Sequence, residues 1–108
     1  MKSDNVYLEH ILEAIKTIEG YIGDMDYEEF KNNKMAVDAV VRELEIIGEA
    51  ANNLSEKFIK DNPDMPFHDA IAMRNFLIHE YFGVNIQLVW DTCKEDLPEF
   101  KKFVKTFL

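Results

Sequence analysis

Val37, Val40, Leu44, Ile47, Ala51, Leu54 and Phe58 recur at alternating intervals of three and four residues without a break. That spacing lines all seven along one stripe of an α-helix and scatters them over both faces of a strand. It predicts a long helix over residues 34–60 whose apolar stripe is a seam for other helices. Leu8, Ile11, Ile15, Ile18 and Ile22 obey the same rule and predict a helix over residues 4–22. Ser3 or Asp4 can cap its start and Gly23 suits its end. No segment has the alternation or β-branched clustering of a strand pair. The expected fold is therefore all-α, an up-and-down bundle of about four main helices plus short ones.

The intervening residues fit that plan. Asp26 and Glu29 have capping-box spacing around a short helix, with Tyr27 and Phe30 placed to plug one end of the core. Gly48 lies inside the long helix at a propensity cost of ~1 kcal/mol, and with Ala50 and Ala51 it would let another helix approach closely. On the opposite face, Asp38, Arg42, Glu45, Glu49, Asn52 and Asn53 read first as solvated, with Arg42 paired to Glu45 or Glu49; lining a cleft is the sharper alternative. Pro63 and Pro66 break the helical run. A further helix is expected over residues 67–82, ended by Gly83, and another after Asn85 as its cap. Pro98 either opens a separate last helix or kinks a continuous one.

The 108 residues suit a single domain, 1–108. No apolar run approaches the ~20 residues that span a bilayer, and Met1-Lys2-Ser3-Asp4-Asn5 lacks the apolar core of a signal peptide. Cys93 is the only cysteine, so no intrachain disulfide can form and the expected compartment is the reducing cytoplasm. Net charge is −9, which argues against a broad basic surface for duplex nucleic acid but leaves room for a small cationic site. Lys101, Lys102 and Lys105 make the end of the chain locally basic.

Several bundle chemistries lack their residues. The positions three before His10, His68 and His79 are Tyr7, Met65 and Phe76, so the Glu-x-x-His pairs of a di-iron site are missing. There is no Cys-x-x-Cys, His-Glu-x-x-His, glycine-rich phosphate loop or serine elbow. His10 has no second candidate ligand at helical spacing and reads as structural. His68 falls in a first helical turn, where a positive charge opposes the helix dipole, and reads as neutral.

One polar cluster is unexplained by folding. Arg74, Asn75, His79 and Tyr81 sit in the otherwise apolar run Ala72-Met73-Arg74-Asn75-Phe76-Leu77-Ile78-His79-Glu80-Tyr81-Phe82. On an ideal helix Arg74 and His79 are ~7.5 Å apart along the axis and ~140° apart around it. A bent arginine or a two-fold-related second copy is needed to bring them together, whereas Asn75 shares a face with His79 and Arg74 shares one with Tyr81. Histidine moves protons near neutral pH and arginine holds phosphate oxygens. Asparagine can orient either the imidazole or a substrate. The set suits cleavage of an RNA phosphodiester by its own 2′-hydroxyl. The plainer alternative has His79 bonded to a backbone carbonyl, Arg74 paired with an acid such as Asp69, and Tyr81 packed in the core. On residue chemistry alone that alternative is the stronger.

The segment Arg74-Asn75-Phe76-Leu77-Ile78-His79-Glu80-Tyr81 resembles the Arg, four residues, His, one residue, Tyr motif of HepT-like toxins, members of the HEPN superfamily of ribonucleases. Tyr7-Leu8-Glu9-His10-Ile11-Leu12, Leu44-Glu45-Ile46-Ile47-Gly48-Glu49-Ala50 and Tyr81-Phe82-Gly83-Val84 with Trp90 resemble the family pattern too, so the likeness covers nearly the whole chain. Family members often carry tryptophan after the proline near this helix, where this chain has Phe67. The resemblance implies a HEPN-like fold and a metal-independent endoribonuclease, the toxin of a type VII toxin–antitoxin pair, acting on RNA such as tRNA or mRNA without a cofactor. It implies a homodimer with Arg74 and His79 catalytic and Asn75 supporting. It further implies an MntA-type nucleotidyltransferase antitoxin that transfers AMP from ATP to Tyr81. The competing reading is a non-catalytic helical subunit that docks on a nucleotidyltransferase, which suits the acidic surface better.

Overall fold

The first apolar stripe folds as the spacing predicts. In the computed structural model, which describes residues 3–65 and 85–108, helix α1 spans Asp4–Ile22 and buries Leu8, Ile11, Ala14, Ile15, Ile18 and Ile22. Gly23 ends it with φ 51° while its N–H donates to the Glu19 carbonyl; only glycine adopts that backbone without strain. Ser3 occupies the N-cap position without a side-chain capping bond.

Helix α2, Tyr27–Lys31, starts with the expected capping box. The Glu29 N–H donates to Asp26 Oδ1 at 2.8 Å and the Asp26 N–H donates to Glu29 Oε1 at 3.1 Å. Phe30 is fully buried against Trp90, ring centres 5.3 Å apart, and Tyr27 meets the same indole edge-on at 5.9 Å. Helix α3, Lys34–Asn52, is capped by Asn33 and buries Val37, Val40, Leu44, Ile47, Gly48, Ala50 and Ala51. Its outer face is solvated as expected, with Arg42 Nη1 3.4 Å from Glu45 Oε2.

The uninterrupted helix expected over residues 34–60 is in fact two. Asn53 turns its side-chain amide onto the Glu49 carbonyl at 2.8 Å. Ser55 leaves helical geometry at φ −65°, ψ 152° and caps helix α4, Glu56–Asp61, by accepting from the Phe58 N–H. The Ser55 N–H and hydroxyl donate to the two Asp4 carboxylate oxygens at 2.8 and 2.7 Å. Side-chain bonds thus replace the helical ladder at the break. The apolar period survives it, since Leu54 is 5 % exposed and Phe58 is half-buried.

After Asn85 the chain is helical without interruption to Lys105: helix α5, Ile86–Asp91, a π-helical turn, Thr92–Asp96, and helix α6, Leu97–Lys105. Of the two alternatives at Pro98, the continuous helix is the one observed. Proline has no N–H and its ring crowds the carbonyl four residues back. The turn just before it is widened, with the Leu97 N–H reaching the Thr92 carbonyl.

Contacts between ends set the directions. Asp4 at the start of α1 touches Ser55 just past the end of α3, so these helices run antiparallel. Lys101 Nζ lies 2.8 Å from Glu19 Oε1 near the end of α1, while Phe107 stacks on Phe58 of α4 at 5.0 Å. Helix α6 therefore runs opposite to α1 and in the same direction as α3. The buried apolar residues of all these elements form one core cluster. The fold is all-α, and every regular element among the described residues is helical. The helix expected over residues 67–82 falls outside them. No helix among the described residues is long and apolar enough to cross a membrane.

The Asp4–Ser55 contact ties the opposite ends of the two longest helices. Asp4→Ala is expected to lower stability by about 1 kcal/mol, because it removes two hydrogen bonds to a carboxylate at an exposed position where water takes over the Ser55 donors. Urea unfolding reads this, and an unchanged midpoint would remove the contact from the set that holds the fold.

Candidate functional site

Arg74, Asn75, His79 and Tyr81, together with His68 and Asp69, lie outside the described residues. What the structure supplies is the frame on either side of them. Upstream, Asn62 closes α4 by donating from its side-chain amide to the Phe58 carbonyl at 2.9 Å. The Met65 N–H then donates to the Asn62 carbonyl at 3.1 Å, and the Met65 side chain is 2 % exposed in the core. Downstream, the Asn85 side chain accepts from the Leu88 N–H at 3.0 Å, the expected cap. Val89, one residue later, is 1 % exposed. Met65 is thus the last core residue described before the motif-bearing stretch, and Val89 the first fully buried one described after it.

The histidine within the described residues is no site. His10 is exposed and meets the Tyr7 ring edge-on with centroids 6.3 Å apart, a surface packing role as expected. Among the described residues no group of three His, Cys, Asp or Glu side chains could hold a metal ion.

A groove of about 300 Å³, unmarked by any residue spacing, lies where the end of α1 faces the π-helical turn. Ile18, Glu19 and Ile22 line one side, and Cys93, Leu97 and Pro98 the other. Lys94 at its edge sits 4.8 Å above the Trp90 ring, and Glu19 is held by Lys101, so both charges are already engaged. Burial pushes the Cys93 thiol up from 9.0 to about 12, against a smaller opposing pull from Lys94. A thiol so held is a packing group, neither a nucleophile nor a metal ligand near neutral pH. No sequence signal marks a π-helical turn except the proline after it.

The family comparisons carry the assignment further. The family model for ribonuclease HepT-like proteins matches residues 11–107, which enclose the whole motif. A protein of Thermococcus cleftensis described as "Probable ribonuclease HepT" is 44 % identical over 96 % of each chain. Two proteins described as "Putative RNase" are similar as well. One, from Methanocaldococcus jannaschii, is 43 % identical over 92 % of this chain and 91 % of its own. The other, from Caldanaerobacter subterraneus subsp. tengcongensis, is 40 % identical over all of this chain and 96 % of its own. No solved structure matches. The chain belongs to the ribonuclease HepT-like family.

The raised thiol pKa makes a pH prediction. In the unfolded chain Cys93 ionises from about pH 9, whereas in the folded chain it holds its proton to about pH 12. The unfolded state therefore binds fewer protons across that interval, and the contribution of Cys93 to stability falls as pH rises from 9 toward 12. Cys93→Ala is expected to show a shallower loss of stability above pH 9 than the parent chain. Identical slopes in the two proteins would show that the thiol ionises as readily folded as unfolded.

Proposed function

We propose that this chain is a metal-independent endoribonuclease, a single domain acting in the cytoplasm as the toxin of a type VII toxin–antitoxin pair. The observation that carries the reading is the family match over residues 11–107, a range that includes Arg74, His79 and Tyr81. The chemistry follows from the residue types. The RNA 2′-hydroxyl loses its proton and attacks the adjacent phosphorus, and the bond to the departing 5′-oxygen breaks as that oxygen gains a proton. A 2′,3′-cyclic phosphate and a free 5′-hydroxyl result. His79 moves these protons and Arg74 neutralises the phosphorane oxygens. Asn75 holds the imidazole or the substrate. The wide separation of Arg74 and His79 on a straight helix favours a homodimer in which two copies complete each site and divide the acid and base roles.

His79→Ala is expected to reduce cleavage of single-stranded RNA by ~10²–10⁴-fold, in buffer containing a chelator. Cleavage that persists in the variant would sink the role of His79, and cleavage that stops with chelation alone would sink metal independence.

Tyr81 is the proposed off-switch. A cognate MntA-type nucleotidyltransferase would join the tyrosine oxygen to the α-phosphorus of ATP and release pyrophosphate. An added nucleotide brings negative charge and bulk to the face that Tyr81 shares with Arg74 on an ideal helix. Co-expression with such a partner should add one AMP mass to the peptide containing Tyr81 and should silence cleavage; unmodified Tyr81 in an inactive complex would count against this regulation.

The second reading, a non-catalytic subunit docked on a nucleotidyltransferase, draws on the net charge of −9. Induction in a host separates the two. A toxin arrests growth and its Arg74→Ala variant does not, whereas a docking subunit leaves growth unchanged in both forms.

A further inference from the structure

We infer that the end of the molecule where α4 meets the tail after α6 is a docking surface for single-stranded RNA, an inference that rests on the ribonuclease reading above and extends it to the substrate strand. Three rings lie together there. Phe107 packs on Phe58 with centroids 5.0 Å apart and on Phe103 at 5.1 Å, tilted by 60° and 55°. Phe107 is 37 % exposed, and Phe58 and Phe103 are half-buried. Phe107 is thus held by its two neighbours while part of its ring reaches solvent, where an unpaired base can pack on it.

Exposed lysines lie on the same two elements as the rings. Lys60 on α4 and Lys102 and Lys105 on α6 are exposed and have no acidic partner among the described residues. Lys57 is held by Asp61 at 2.9 Å, a pair whose side chains are 84 % and 59 % exposed. Such a pair contributes little, so a phosphate can displace the carboxylate. Glu56, Asp61 and Glu99 lie on the same elements and oppose a polyanion. Even so, residues 97–108 carry Lys102 and Lys105, besides the Lys101 held by Glu19, against one glutamate in a chain of net charge −9. Exposed phenylalanines alone would fit a contact between copies of the chain equally well. The lysines interleaved with them favour a phosphate-bearing strand.

The test uses the full chain and a fluorescein-labelled 2′-O-methyl oligouridine of about twelve nucleotides. This strand has no free 2′-hydroxyl, so binding is read apart from cleavage. Phe107→Ala is expected to weaken binding about five- to tenfold. The double variant Lys102→Gln, Lys105→Gln should lower the steepness of the salt dependence by about 1.4. Lys16→Gln, on the exposed face of α1, should leave affinity unchanged. Circular dichroism checks that each variant stays folded. Unchanged affinity in both patch variants overturns the docking surface. So does a Phe107→Ala chain that sediments as a smaller species with binding intact, which would make the patch a contact between copies. In either case, cleavage lost only in His79→Ala would leave the ribonuclease reading standing.

Discussion

The packing of α1 on α3 is the contact on which the other elements depend. Leu8, Ile11, Ile15 and Ile18 on one helix and Val40, Leu44, Ile47 and Ala51 on the other are all 3 % exposed or less. Burying an aliphatic side chain of this kind contributes about 1.5–3 kcal/mol, far more than any exposed ion pair on the surface. Register between the helices is marked at one end by Asp4 on Ser55. That contact also explains the interruption of α3. Continuing the helix through Ser55 would turn its N–H back into the ladder and leave the Asp4 carboxylate without its two donors. At the far end, Phe30 and Trp90 close the core.

The column of α5, the π-helical turn and α6 fits against this pair at a local cost that the groove records. A π-helical turn packs its backbone less tightly than an α-turn, and here it faces the end of α1 across about 300 Å³. The benefit lies on either side of it. Val89 and Val104 reach the core together, at 1 % and 0 % exposed, although Pro98 stands between them. Lys101 then bridges to Glu19 of α1, while before the groove Trp90 packs on Phe30 of α2. The same column carries Asn85, where the motif-bearing stretch ends.

Most of the helical plan was legible in the sequence because it rests on a period. Five aliphatic residues from Leu8 to Ile22 specify one face of α1, and the Asp26 and Glu29 spacing specifies a cap, without reference to the rest of the chain. The break after Asn52 was not legible for a physical reason. Leu54 and Phe58 keep the apolar period across it, and the decisive acceptor, Asp4, lies 51 residues away from Ser55 in sequence. The π-helical turn was illegible because it shifts the ladder by one residue without altering composition. For the site, spacing showed which side chains share a helical face and which do not. It could not choose between a bent arginine and a second copy of the chain, since that choice depends on tertiary contacts. Family membership favours the catalytic reading over a structural one without supplying those contacts.

An acidic ribonuclease has to capture a polyanion against its own field. The resolution is one of range. At physiological ionic strength the screening length is about 8 Å, so carboxylates on the far faces of α1 and α3 contribute little to a strand lying across the tail of α6. What decides binding is the balance near the strand, where Lys57, Lys60, Lys102 and Lys105 outnumber Glu56, Asp61 and Glu99 by one. A surface so balanced would hold RNA weakly through charge and would depend on stacking for the remainder. It would also favour unpaired strands, because a duplex hides the base faces that the phenylalanines need. Selectivity for single strands would then arise from the shortage of positive charge, which withholds the sequence-independent phosphate affinity on which duplex binders rely.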